Sequence, residues 1–259
     1  MKQRSFSRLF LLALCLSLTW FGVSCVSNAH FDYRHTPGTM QRFPVPICHE
    51  TIGIEPFRDC RRRLENAEKL PLERGSFALG WLPILPYAWV SKAYPEKPGE
   101  HGFATLRSYW CQFDVELAVA TAGSLNYSHL FSKPCVLVTP ENNEETDWIF
   151  RGFLYDSTYE GERLTYGVTY LVAPLLWAVG FPNAVSHNRL SVAFQLVNRR
   201  RERVVWEYRY SGQTDTVHWL YWNTGRDVDG YPQLMKVALN AALYDLAMHW
   251  SRIEAKNRP

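Results

Sequence analysis

The sequence predicts an α+β fold: a mostly antiparallel sheet with helices packed on one face. Three observations carry this. Two runs of strict alternation, Leu190-Val192-Phe194-Leu196 and Val204-Trp206-Tyr208-Tyr210, flank the polar residues 198–202 and read as an antiparallel hairpin with one buried face. Two stretches, after residues 104 and 229, carry apolar residues at three- and four-residue spacing and read as helices. The signals come in the order strand, helix, several strands, closing helix.

The chain opens with Lys2, Arg4 and Arg8, has no acidic residue beside them, and continues into an apolar run over residues 9–23. Such a run suits the apolar region of a secretory signal and falls short of the ~20 residues a membrane span needs. It closes on Gly22-Val23-Ser24-Cys25. Small residues before a cysteine resemble the lipobox of bacterial lipoproteins, in which the cysteine is acylated and becomes the new first residue; Gly22 stands where that family prefers Leu. Lipidation at Cys25 is the expected outcome. Cleavage after Ala29 and an uncleaved anchor are the alternatives. Val26 and Ser27 lack the Asp that retains some lipoproteins in the inner membrane, which by analogy points to the outer membrane, facing the periplasm.

Without Lys2, Arg4 and Arg8 the chain holds 25 basic against 25 acidic residues, so its basicity belongs to the export signal. A neutral body has no electrostatic footprint for nucleic acid, and no nucleic-acid partner is expected. Ten Trp, 14 Tyr and 14 Phe, within 47% hydrophobic residues, supply one sizeable core. The organisation expected is a signal peptide over 1–24, a lipidated tether or irregular extension over 25–50, and a single α+β domain over 51–259.

Residues 26–50 carry Pro37, Gly38, Pro44 and Pro46 with little apolar periodicity, the composition of a tether. Residues 51–57 read as the first strand and the charged residues 58–73 as a short helix. Residues 77–90 are apolar but broken by Pro83 and Pro86, which fits a loop or edge segment. Leu106, Trp110, Phe113, Leu117 and Thr121 then recur on one helical face, with Gly123 as the stop. Residues 135–138 and 148–157 read as strands, and residues 163–170 as a hairpin partner reached through a Glu160-Gly161-Glu162 turn. Residues 170–182 are apolar, short and interrupted by Pro174 and Gly180, hence a docked helix and not a span. In the closing helix Asp229 or Gly230 is the cap and Pro232 lies in the first turn. Leu234, Val237, Ala241, Tyr244 and Met248 form its apolar face.

Cys48, Cys60, Cys111 and Cys135 remain after export, an even number in an oxidising compartment. Cys48–Cys60 and Cys111–Cys135 are the sequence-local pairings; buried free thiols are the alternative. No C-x-x-C, H-E-x-x-H or H-x-H spacing occurs, so no metal site and no cofactor is expected.

Nothing assembles for catalysis, and no catalytic residue is assigned. G-x-S-x-G is absent, and His101, His129, His187 and His218 are scattered. Asp227-Val228-Asp229-Gly230 opens like a calcium loop but lacks the later ligands, so capping is the simpler role of Asp229. Asp114 and Glu116, two apart on a helix, point to different sides. Arg61-Arg62-Arg63 and Arg199-Arg200-Arg201 suit anionic lipid, but Glu65 and Glu202 beside them favour solvated turns. Trp177, Trp219, Tyr221 and Trp222, with Tyr170, form the candidate interaction patch. Exposed together, they make an interfacial or partner-binding surface; buried, they are core, which is the simpler expectation.

Several segments together resemble a group of poorly characterised bacterial lipoproteins with an α+β envelope domain. They are Arg151-Gly152-Phe153-Leu154, Tyr166-Gly167-Val168, Ala173-Pro174-Leu175-Leu176-Trp177 with Gly180-Phe181-Pro182, and the hairpin with Trp206. The strand Ile52-Gly53-Ile54-Glu55-Pro56-Phe57 followed by a helix is similar to small envelope domains. Among those are the amino-terminal domain of the Tol-system translocation protein and the periplasmic domain of the curli secretion lipoprotein. The resemblance covers the body from residue 50 onward and implies a binding or assembly module without catalytic residues. The expectation is therefore a non-enzymatic cell-envelope lipoprotein, held to the membrane by an N-terminal lipid and binding an envelope protein partner. The alternative is an exported carrier or sensor for a small apolar or glycan ligand, with Trp177, Trp219 or Trp222 lining a closed pocket. A secreted hydrolase would need a Ser–His pair or two carboxylates converging in one cleft.

Overall fold

The computed structural model describes residues 29–30, 42–61, 77–79, 82–84, 88–93, 103–104, 108–110, 113–138, 146–164, 166, 172–223, 226 and 228–257. The expectations for the signal, for Cys25 and for Cys111 lie outside them. Along the chain the elements are β1 (Ala29–His30), β2 (Ile52–Ile54), β3 (Arg58–Asp59), β4 (Phe77–Leu79), β5 (Leu82–Ile84), β6 (Ala88–Ala93), β7 (Phe103–Ala104) and β8 (Ser108–Trp110). There follow α1 (Phe113–Ser128), β9 (Val136–Leu137), β10 (Trp148–Asp156), β11 (Tyr159–Leu164), α2 (Ala173–Ala178), β12 (Ala184–Asn198), β13 (Arg203–His218) and α3 (Gly230–Asn257).

The predicted hairpin is the axis of the molecule. β12 and β13 pair antiparallel from Ala184↔His218 to Asn198↔Arg203 around a turn at residues 199–202. Leu190, Val192, Phe194 and Leu196 are all buried, as their alternation predicts. On β13 the alternation fails at one place. The register slips between Leu196 and Val197, so that Leu196 faces Trp206 while Val197 faces Val204. The extra residue, Val205, turns Val204 to the outer face, where it is exposed.

The other edge of β12 is shared. β10 pairs antiparallel with its second half and β11 with its first, so β10 and β11 run as one line broken at Ser157-Thr158. Hydrogen bonds hold the break in place. Asp156 Oδ1 accepts from the Thr158 backbone at 3.0 Å, the Ser157 carbonyl accepts from Tyr231 O–H at 2.8 Å, and the Thr158 carbonyl accepts from the Arg189 N–H at 2.9 Å. Glu160-Gly161-Glu162 is therefore not a turn but the middle of β11, with Gly161 opposite Ser186. β6 adds antiparallel to β11, while β2 and β3 join β10, and β9 joins β2, in parallel. The sheet is thus mixed. β1, β8 and β7 form a separate small sheet, and Pro83 lies in the two-stranded β4–β5 hairpin, where only one edge is paired.

The helices correct the sequence reading in three ways. α1 begins at Phe113, because residues 108–110 are strand, and it runs past Gly123 to Ser128. His129, with φ of 54°, ends it in the left-handed conformation. Residues 58–59 are strand and not the start of a helix. On α3, Leu234 is buried as expected, but Val237, Tyr244 and Met248 are exposed. The face that packs is Tyr231, Leu234, Met235, Ala238, Leu239, Ala242, Leu243, Leu246 and Trp250. Both stripes have helical spacing, and the buried one is the larger, with four leucines, Met235, Tyr231 and Trp250 on it.

Residues 42–50, expected as tether, are docked on the body. The Phe43 N–H donates to Ser128 O, the Ile47 N–H donates to Leu130 O, and Cys48 bridges to Phe131. One core joins the sheet to α1 and α3. Phe150 and Phe194 lie 5.7 Å apart at its centre, and Phe57 fills the space left by Gly152, where a Cβ would collide with its ring. Each fully buried Phe or Leu contributes about 1.5–3 kcal/mol. Among the described residues no helix is long and apolar enough to cross a membrane.

Candidate functional site

α3 covers the hairpin unevenly. Its first residue, Gly230, sits so close to Thr214 and Asn188 that a Cβ would strike both. From there it runs toward the hairpin turn, where Asp245 Oδ2 accepts from Trp206 Nε1 at 2.7 Å and Trp250 packs edge-on to Trp148 at 5.8 Å. Residues that follow Thr214 lie beyond the start of the helix, and the chain leaving β13 there carries the aromatic group.

A buried clamp shapes that segment. Ser186 Oγ and His218 Nε2 are 2.6 Å apart, and His218 Nδ1 is 2.7 Å from Asn223 O. A carbonyl only accepts, so Nδ1 carries a proton, and Nε2 is the nitrogen that meets the serine hydroxyl. Asn223, with φ of 58°, donates its side-chain N–H to Val217 O at 3.1 Å. Between these anchors Trp219 and Trp222 exchange backbone hydrogen bonds, and the tight turn pushes Tyr221 and Trp222 outward.

α2 meets this turn from the other side. Pro174 occupies its first turn, where a missing N–H costs nothing. Gly180, at φ of 102°, closes it: the Gly180 N–H donates to Trp177 O and the Phe181 N–H to Leu176 O, both at 3.1 Å. Trp177 Nε1 donates to Leu164 O at 2.8 Å and Tyr166 O–H to Pro182 O at 2.7 Å. Burial pushes the Tyr166 phenol up, which keeps it protonated and donating. Tyr166 also stands edge-on to Phe181 at 5.4 Å, and Tyr221 O–H reaches Ala178 O at 3.4 Å, joining the two segments.

The result is an exposed apolar end. Tyr221 is 76% exposed, Val179 73%, Trp222 69% and Leu175 65%, with Phe181 and Leu220 also open. Trp177 and Trp219 are half-buried. The simpler expectation, that this group is core, is corrected for Tyr221 and Trp222: residues 219–223 lie past the helix that would have covered them. Tyr170 is outside the described residues.

The thiols are placed differently from the expected pairings. Cys48, Cys60 and Cys135 are free, so neither Cys48–Cys60 nor Cys111–Cys135 is formed. Cys48 and Cys135 are turned into the core, and burial pushes each up to about 12. Cys60 is exposed beyond β3. The Ser186–His218 pair had no signal in the sequence, because 32 positions separate the two. It resembles half of a catalytic triad, but both side chains are buried, at 0% and 3% exposure.

Several charged groups among the described residues are paired within the chain. Arg61 makes a two-pronged pair with Asp59, Arg200 pairs with Asp147 at 3.1 Å, and Asp229 Oδ2 accepts from Arg226 at 2.5 Å. His187 contacts Asp215 at 2.7 Å and His129 contacts Arg42 at 2.8 Å.

No protein-family model matches the chain, and no curated protein matches it in sequence. Solved structures with partial likeness include protein XCC0632 from Xanthomonas campestris, of family DUF330. It is 9% identical at a TM-score of 0.39, over 84% of this chain and 92% of that one. The PelC dodecamer from Paraburkholderia phytofirmans is 8% identical at 0.34, over 77% and 90%. A neuraminyllactose-binding hemagglutinin homolog from Helicobacter pylori is 6% identical at 0.36, over 88% and 98%. None of them carries a residue or a role across to this chain.

Proposed function

We propose that this protein is an exported, non-enzymatic cell-envelope lipoprotein, acylated at Cys25 and working as a partner-binding or assembly module. On this reading it belongs beside the small envelope domains its sequence resembles. α1 and α3 cover one face of the β10/β11–β12–β13 meander, and an envelope protein is its partner. The observation that carries the reading is the exposed aromatic end, which presents Tyr221 and Trp222 outward instead of enclosing a ligand between them. That favours a binder over a carrier. The seclusion of Ser186 and His218 supports a binding role over hydrolysis.

The test is acyl labelling with fractionation. A palmitate label on the wild-type chain should disappear in Cys25→Ala, which should wash from the membrane fraction far more readily than the acylated chain. A Cys25→Ala chain that keeps its label sinks the anchor. Crosslinking and pull-down of the acylated chain from native membranes should recover an envelope protein.

A further inference from the structure

We propose that the exposed end is a membrane-docking surface, seated in the interfacial layer of a lipid bilayer through Leu175, Val179, Phe181, Leu220, Tyr221 and Trp222. This rests on the export reading above and names lipid, in place of the envelope protein, as what the exposed end binds, a contact distinct from the acyl chain.

Three features select lipid as the occupant. The first is hydrogen bonding. A surface entering lipid must bring its polar groups already paired, because no water is there to satisfy them. At this end the Val179, Gly180 and Phe181 N–H groups donate within α2 and its cap, and Trp219 and Trp222 pair with each other. Trp177 Nε1, Tyr166 O–H and Tyr221 O–H donate to carbonyls of the same patch. A protein interface instead uses about one direct hydrogen bond per 100–200 Å² across the contact, and here the named donors are already engaged.

The second is charge. Residues 164–186 and 216–225 contain no Asp, Glu, Lys or Arg. Nothing ionised needs desolvation there, and Trp and Tyr beside aliphatic side chains suit the boundary between headgroups and acyl chains.

The third is reach. Ala29 pairs with Tyr109 in β1, only four residues after Cys25. An acylated Cys25 would then be linked to that strand by at most about 14 Å of chain, so the acyl chain brings β1 close to the lipid. The acyl chain holds the protein there, and the apolar end fixes which way the body faces.

The test uses the full mature chain as Cys25→Ala with vesicles of neutral phosphatidylcholine. The chain should float with the vesicles equally at low and high salt, because no charge drives the contact. Val179→Asp with Trp222→Asp should lower flotation about tenfold or more. Val237→Asp with Met248→Asp, on exposed apolar positions of α3, should leave it unchanged. All four positions are exposed, and circular dichroism checks that each variant is folded. A photoreactive residue in place of Tyr221, in the acylated chain in cells, should yield phospholipid adducts. Absent flotation, or flotation indifferent to Val179→Asp with Trp222→Asp, overturns the proposal. Protein adducts at position 221 in place of lipid adducts also overturn it and leave the binding-module reading standing. A missing acyl label at Cys25 defeats the lipoprotein reading without altering the vesicle result.

Discussion

The two ends of the β12–β13 hairpin carry the same kinds of side chain and treat them in opposite ways. At the turn end, Trp148, Phe150, Trp206 and Trp250 are buried, and the Trp206 indole is bonded to Asp245. At the other end Phe181, Tyr221 and Trp222 face outward. Residue type does not decide between these fates; the position of α3 does. The helix starts against Thr214 and Asn188 and runs toward the turn, so Leu220, Tyr221 and Trp222 are left uncovered. Aromatics under the helix hold the fold together, while those beyond it are available for binding.

The largest effect should come from removing one aromatic at each end. Trp250 packs against both Trp148 and Phe131, and truncating it leaves a cavity where α3, β10 and the segment after α1 meet. Trp250→Ala should cost about 3–5 kcal/mol in denaturant unfolding. Trp222→Ala, at an exposed turn, should stay within about 0.5 kcal/mol. Similar losses at both ends would break the comparison and make the open end a second core.

The thiols offer a smaller contrast. Cys60 should label with a maleimide as fast as a free thiol. Cys48 and Cys135 should react at least on the order of a thousandfold more slowly, since they open only with the fold. Their ionisation also sets a pH dependence. Each is pushed up to about 12 from an ordinary 9.0, with burial the main cause. The folded state then holds a proton that the unfolded state releases. This contribution is complete below pH 9 and is lost as the pH rises toward 12. Cys135→Ala should therefore flatten the alkaline limb of the stability profile. An unchanged limb would mean that the thiol is not dry.

These contrasts mark what could be seen in the sequence. Leu190 to Leu196 announced the hairpin because strand alternation is local and one face is buried. Val204 escaped the pattern because a single bulge residue reverses it, and bulges leave no mark in alternation. Glu160-Gly161-Glu162 looked like a turn by composition. It is held in β11 by pairing with β12 and β6, partners far away in sequence. On α3 two stripes share the helical spacing, and only the contact with the sheet separates Met235, Leu239, Leu243 and Leu246, which are buried, from Val237, Tyr244 and Met248, which are exposed. At the candidate site the residues were legible and their exposure was not. Exposure depends on where α3 begins on the sheet, and the Ser186–His218 clamp that shapes the turn depends on strand register.

Gly123 carries a small expected effect and bears on the packed end alone. Its place in the sequence suggests a helix stop, yet α1 continues through it and delivers Leu125 to the core. A Cβ at this position meets nothing within 4 Å. Gly123→Ala should then stabilise the protein by about 0.4–1 kcal/mol, through lower chain entropy in the unfolded state and better helix propensity. The denaturant midpoint should rise at constant slope, because no new surface is buried. α1 packs against α3, β2, β9 and β10 and has no part in the open end, so vesicle flotation should not change. A loss of stability would mean that the backbone at 123 needs glycine's freedom. The helix would then end where its sequence suggested, and Leu125 and Ser128 would need another way into the core.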